Sequence, residues 1–218
     1  MWSRHFTDNA ALRLALLGLV LAVAGCASSG SRPEQPDRAR SEQAKADPRA
    51  AEVPPAALTM YEQAVAVMAA GDSLDAELRF KEFLLQYPDY PGAYVNLAII
   101  HVNNDNDADA QAAVDAALAI DPDYAPALNQ QGMLLRRNGK FLEAEAAYLK
   151  AVTASPDYAL AHYNLGVLNE LYLQRLDSAL QHYERYQQIV GDDEQVEKWI
   201  TDLQRRVAAS QRTANITE

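Results

Sequence analysis

The tripeptide Pro-Asp-Tyr occurs three times in this chain at a constant interval. It occupies residues 88–90, 122–124 and 156–158, so successive copies are 34 residues apart. A constant period of this size is typical of stacked supersecondary units, and 34 residues accommodate two helices with their turns. The interval therefore predicts an α-helical solenoid, a class of fold that holds partners more often than it catalyses reactions.

Other positions recur with the same period. Small side chains are expected where the two helices of a unit approach closely, and large ones where a side chain fills the next layer. The small residues are Ala64, Ala98, Gly132 and Gly166, and the large ones are Phe80, Val114, Tyr148 and Tyr183. Each unit ends near a proline, which cannot continue a helix interior.

These positions resemble the tetratricopeptide repeat: an aromatic residue, Leu-Gly, a turn glycine, alanine, an aromatic residue, alanine and proline. The resemblance implies an all-α, right-handed solenoid of about four helix pairs over residues 56–191. Asp192 and Gln195 suit the start of a capping helix over 192–208, followed by a disordered tail over 209–218. Repeat two replaces the turn glycine with Asp105, and repeat four is one residue longer, so its turn at residues 173–176 is expected to be distorted.

An apolar run near the first residue predicts a processing signal. Residues 14–24 would form a helix of about 16 Å, too short for a bilayer core of about 30 Å, and they follow Arg4 and Arg13. The run leads into Gly25 and Cys26, which together resemble the lipobox of bacterial lipoproteins. The resemblance implies a signal peptide over 1–25, with Cys26 carrying the lipid as the first mature residue. The alternative is an incidental cysteine beside an uncleaved anchor.

The segment after Cys26 predicts both a location and a tether. Ala27 follows the cysteine where Asp would favour inner-membrane retention, so the resemblance implies the periplasmic face of the outer membrane. Residues 26–55 are rich in Ser, Pro, Ala and charge, and they offer too little apolar surface to offset ordering entropy. We expect a disordered spacer, with a segment that contacts peptidoglycan or a partner as the alternative.

Charge and motifs argue against several functions. The net charge is −11, which repels phosphate backbones, so no nucleic-acid partner is expected. Phosphate-binding glycine loops, nucleophile elbows and zinc-protease motifs do not occur in the sequence. The sequence therefore predicts a protein that is not an enzyme and uses neither a cofactor nor a metal.

The first helix of each pair, helix A, lines the concave side in the family that the chain resembles. One such position recurs as Glu62, Asn96, Gln130 and Asn164, and an amide can both donate to and accept from an extended peptide. The alternative is that these polar side chains are merely solvated. The other predicted groove residues are Asn129, Met133, Arg136, Tyr163 and Glu170.

These features together predict a lipid-anchored periplasmic scaffold that binds a protein partner of the cell envelope. At the level of family resemblance, three alternatives stay open: a pilotin-like factor for a type IV pilus secretin, an adaptor for peptidoglycan hydrolases, and an accessory of a TonB-type transport complex. A homodimer is also left open.

Overall fold

A computed structural model describes residues 54–216 of the chain, and that part is helical throughout, with short turns. The helices are α1 (Pro55–Ala69), α2 (Ser73–Gln86), α3 (Pro91–Asn103), α4 (Asp107–Ile120), α5 (Ala125–Arg137), α6 (Phe141–Ala154), α7 (Ala159–Leu171), α8 (Leu176–Val190) and α9 (Glu194–Ile216). The predicted signal peptide, Cys26 and the tether up to residue 53 lie outside the described residues. Within the described range, no helix has the length and apolar character needed to cross a membrane.

The helices pack as four consecutive pairs. We call α1, α3, α5 and α7 the A helices and α2, α4, α6 and α8 the B helices; each A helix packs mainly on the B helix that follows it. Each B helix also contacts the next A helix, and α3, α5 and α7 contact one another along the stack. The last helix, α9, packs on α8. The predicted helical solenoid is therefore confirmed.

Every turn between an A helix and its B helix contains one residue with left-handed backbone. These residues are Gly71, Asp105, Gly139 and Gln174, with φ between +55° and +88°. Glycine adopts this conformation without steric cost, whereas Asp105 and Gln174 carry a side chain there. The extra residue of repeat four is absorbed in its turn: the amide of Arg175 donates to the carbonyl of Asn169 (2.8 Å), one residue further back than in repeats two and three.

Glycine at two positions lets helix A and helix B approach closely. A Cβ added to Gly132 would lie 2.5 Å from the Tyr148 ring, and one added to Gly166 would lie 2.5 Å from the Tyr183 ring. Repeats one and two have alanine at the equivalent position, and their filling residues are the smaller Phe80 and Val114, both fully buried. Backbone spacing and side-chain size are therefore matched within each repeat.

The C-terminal helix differs from its prediction in two ways. Asp193 rather than Asp192 caps it, since the Asp193 carboxylate accepts from the amides of Gln195 (3.0 Å) and Val196 (3.1 Å). The helix continues to Ile216, so residues 209–216 are helical and not a disordered tail. No glycine or proline interrupts residues 194–216, and Ala, Gln and Arg sustain a helix there.

We predict that Gly132→Ala lowers the free energy of unfolding by about 1–3 kcal/mol, because the methyl group overpacks against Tyr148. Tyr148→Val alone leaves a cavity, but the double variant reproduces the Ala98–Val114 combination of repeat two. The double variant should therefore lose less stability than the sum of the single losses, as measured by urea unfolding followed by circular dichroism. Strict additivity would show that the two positions are not matched.

Candidate functional site

The predicted amide row lies inside the stack of A helices. Asn96, Gln130 and Asn164 are buried, while Glu62 at the start of the row is exposed. Asn129 and Tyr163, also predicted to line the groove, are buried as well. Five of the nine predicted groove residues are thus shielded from solvent, and an incoming peptide does not meet them on the open surface.

Hydrogen bonds between neighbouring A helices explain this burial. The Asn96 amide nitrogen donates to the Tyr61 hydroxyl at 2.8 Å, and the Asn164 amide nitrogen donates to the Asn129 carbonyl oxygen at 2.9 Å. In both cases the partner is 35 residues earlier, on the preceding A helix. The amides therefore join successive repeats to one another.

One junction in this series lacks the bond. The position that faces Gln130 from the preceding A helix is Val95, which has no polar group, and the Gln130 carbonyl oxygen is buried without a partner. At the last junction two aromatic rings replace the amide pair, since Trp199 of α9 lies 6.1 Å from Tyr163 between ring centroids. Trp199 thus takes the place that an amide takes in earlier repeats.

The accessible part of the A helices lies one turn beyond the amides. It is formed by half-buried side chains that recur every 34 residues, and we call it the inner face: Val65, Met68, Ile99, Val102, Met133 and Arg136. Sequence reasoning selected only Met133 and Arg136 of these. The signal for the others was present, because apolar residues repeat at the same two positions of each A helix.

Arg136 is the cation of the inner face. Its guanidinium lies 5.8 Å from the centroid of the Tyr172 ring, and in the described part of the chain no carboxylate forms a salt bridge with it. The neighbouring Arg137 is bound by Asp105 and Asp107, each at 3.1 Å. Burial raises the pKa of Tyr148, and the positive charge of Arg136 opposes this shift. Arg136 is therefore half-buried and stacked, and it can accept a carboxylate from a partner.

Helix α9 closes the inner face at repeat four. Arg206 pairs with Glu170 at 2.6 Å, and Trp199 packs on Tyr163 and on Tyr183, with ring centroids 6.1 and 5.6 Å apart. Glu170 and Tyr163, both predicted to meet a partner, are thus engaged by the chain itself. The open surface is confined to repeats one to three.

Two histidines that sequence spacing did not connect meet between α7 and α8. The Nδ1 atoms of His162 and His182 are 3.2 Å apart, and His162 Nε2 lies 3.0 Å from the Pro156 carbonyl oxygen. This arrangement suits neutral rings, with His162 donating to the carbonyl and His182 donating to His162. Burial lowers the pKa of both histidines, that of His182 to about 4. Among the described residues, no group of three or more metal-ligating side chains forms, so the pair is structural.

A stack of helix pairs with one accessible, mostly apolar inner face defines a protein-interaction scaffold. Two family models described as tetratricopeptide repeat match the chain, over residues 67–130 and 129–194. They span more than half of the sequence, so the chain belongs to the tetratricopeptide repeat proteins.

Solved structures show the same fold. A structure from a functional characterisation of Pseudomonas aeruginosa pilF has 20% identity and a TM-score of 0.61, covering 79% of this chain and 71% of that one. The thermophilic repeat protein TTC0263 of Thermus thermophilus has 22% identity and a TM-score of 0.60, covering 70% and 83%. The first repeat domain of Spaghetti (RPAP3), bound to the HSP90 peptide SRMEEVD, has 18% identity and a TM-score of 0.50, covering 54% and 95%. No curated protein matches the chain in sequence.

We predict that Asn164→Leu lowers the free energy of unfolding by about 1–3 kcal/mol, because it leaves the buried Asn129 carbonyl oxygen without its donor. Gln130→Leu is the matched control: its buried oxygen already lacks a partner, so the change should cost less than about 1 kcal/mol. Urea unfolding of both variants tests this, and equal losses would show that the amide bonds do not stabilise the stack.

We also predict that acid destabilises the protein through the histidine pair. The unfolded chain takes up protons near the ordinary histidine pKa of 6.5, whereas folded His182 does so only near 4. Stability contributed by the neutral ring is therefore complete above pH 6.5 and is lost as the pH falls towards 4. The decline in melting temperature over this range should be shallower in His182→Gln than in His101→Gln, which keeps the pair. Parallel pH profiles would contradict the assignment.

Proposed function

We propose that this protein is a lipid-anchored periplasmic scaffold that holds a segment of a cell-envelope protein on its inner face. The observation that carries the proposal is the inner face itself. Its apolar side chains recur across three repeats, are only half-buried, and lie beside Arg136, for which the described residues provide no carboxylate. A surface of this kind suits a partner segment that buries apolar side chains and carries an acidic group.

The amide row supports this role indirectly. Because Asn96 and Asn164 are engaged between A helices, they fix the spacing of the repeats and hence of the apolar positions beside them. Recognition then rests on side-chain pockets and on one charge, and not on a ladder of amides paired with peptide backbone. The tetratricopeptide domain of Spaghetti (RPAP3), solved with the peptide SRMEEVD, illustrates that a domain of this fold can hold a short acidic segment.

The anchor and its location rest on the sequence around Cys26. The apolar run and the small residues before the cysteine support lipidation with diacylglycerol and palmitate, and Ala27 supports the outer membrane over the inner. A tether of residues 26–53 would let the inner face search for partners close to the membrane.

A pilus-related role is the second candidate. The similarity to the structure from the Pseudomonas aeruginosa pilF study favours it, since the two chains share the fold over most of their lengths. In that case the partner segment belongs to a secretin of the type IV pilus. An adaptor for peptidoglycan hydrolases and an accessory of a TonB-type complex are the remaining alternatives, and the identity of the captured partner separates all three.

The proposal is tested by photo-crosslinking in cells. A photoreactive amino acid at Ile99 or Met133 should capture one envelope protein, whereas the same residue at Lys198, exposed on α9, should not. Arg136→Gln should reduce capture at both positions, since it removes the charge that meets the acidic group. Capture at Lys198 equal to that at Met133 would exclude the inner face as the binding surface.

The anchor is tested in the same cells with Cys26→Ser. This variant should move from the membrane fraction to the soluble fraction, because it lacks the thiol that receives the lipid. If it stays in the membrane fraction, the lipid anchor is excluded, while the crosslinks at Ile99 and Met133 still decide the inner face.

A further inference from the structure

The B helices expose large apolar side chains on the side away from the inner face. On α2, Leu85 is 85% exposed, Leu74 70% and Leu78 59%. On α6, Leu142 is 62% exposed and Leu149 44%. In each helix these residues are spaced so that they share one face. Scattered apolar residues are normal on a protein surface, but a contiguous apolar patch marks an interaction site.

The exposed residues form one continuous stripe over three repeats. At the corresponding positions of α4, between the two leucine-bearing helices, the sequence has exposed alanines. We call this surface the outer stripe: Leu74, Leu78, Leu85, Ala108, Ala112, Ala119, Leu142, Ala146 and Leu149. In repeat four the corresponding residues are Asp177, Gln181, Glu184 and Gln188. The stripe therefore ends abruptly after α6.

The order of side-chain sizes in the outer stripe is symmetric. A leucine-bearing helix lies on each side of α4, whose small alanines permit a close approach of backbones. The helices α2, α4 and α6 each span 14 residues at equivalent positions of the repeat. If a second copy is turned by a two-fold axis through the middle of α4, then α2 of one copy lies antiparallel to α6 of the other. This overlay places Leu78 opposite Leu149 and Leu85 opposite Leu142.

Charges agree with the same overlay. Glu77, on the α2 side that faces α4, comes opposite Lys150, an exposed residue on the α6 side that faces α4. A two-fold axis repeats this opposite-charge pair, so each contact contains it twice. The exception is Asp115, exposed on α4 between Ala112 and Ala119, whose two copies would approach each other near the axis. A contact with this composition would be limited by one like-charge repulsion at its centre.

We propose that a second copy of this chain covers the outer stripe, forming a two-fold dimer in which α4 packs on α4 and α2 packs on the partner's α6. The proposal is independent of the lipid anchor and of the inner face. A lipid surface or an unrelated protein could also cover apolar side chains. Only a second copy accounts for both the leucine–alanine–leucine symmetry and the pairing of Glu77 with Lys150. Both inner faces stay accessible in such a dimer.

Sedimentation equilibrium of the full-length chain in density-matched detergent tests the dimer. Leu78→Glu or Leu149→Glu should weaken it by at least about 100-fold, because each places a charge in the contact. Leu171→Glu is the matched control, since Leu171 is 49% exposed but lies on α7 outside the stripe. Glu77→Lys and Lys150→Glu should each weaken the dimer by roughly tenfold, and the two together should restore it. Asp115→Ala should tighten it.

Disulfide trapping in cells gives a second readout that does not depend on purification. A Leu78→Cys copy and a Leu149→Cys copy should crosslink when they are expressed together, whereas neither should form this crosslink alone. A wild-type chain that stays monomeric at about 100 µM would overturn the proposal. So would a dimer unaffected by Leu78→Glu and Leu149→Glu, or one that the paired charge reversal fails to restore. If Leu78→Glu instead abolishes association with vesicles or with another protein while the chain is monomeric, the stripe serves that contact and the dimer is excluded.

Discussion

The close approach of helix A to helix B within each repeat is the constraint on which the rest of the structure depends. Gly132 and Gly166 leave just enough room for the rings of Tyr148 and Tyr183, which fill the centre of their repeats. This distance sets the angle at which each pair leans on the next, and hence which side chains reach the neighbouring A helix. The burial of the amides, the exposure of the inner face and the position of α9 all follow from it.

Much of the fold could be predicted from the sequence, because the 34-residue period fixes helix order and the small and large positions directly. The end of α9 was missed since no glycine or proline marks it, and helix propensity alone had to be judged. The meeting of His162 with His182 was missed for a different reason: the two residues are 20 apart, and repeat arithmetic does not pair them.

The site was predicted less well than the fold, and the reason is specific. Periodicity places Asn96 and Asn164 on the correct helix side, but their burial depends on which residue faces them from the preceding repeat. Tyr61 and Asn129 present an oxygen there, so the amides turn towards the stack. Neither the period nor composition reports this contact, which joins residues 35 apart. Met133 and Arg136 were selected correctly as accessible because long side chains extend past the row of amides.

The junction between Val95 and Gln130 divides the solenoid mechanically. Amide hydrogen bonds tie repeat one to repeat two and repeat three to repeat four, whereas the A helices of repeats two and three meet there without such a bond. We therefore expect the stack to bend most easily at its midpoint, so that it behaves as two stiff segments joined by a softer joint. Such a molecule can change its curvature to fit a ligand while each half keeps its internal geometry.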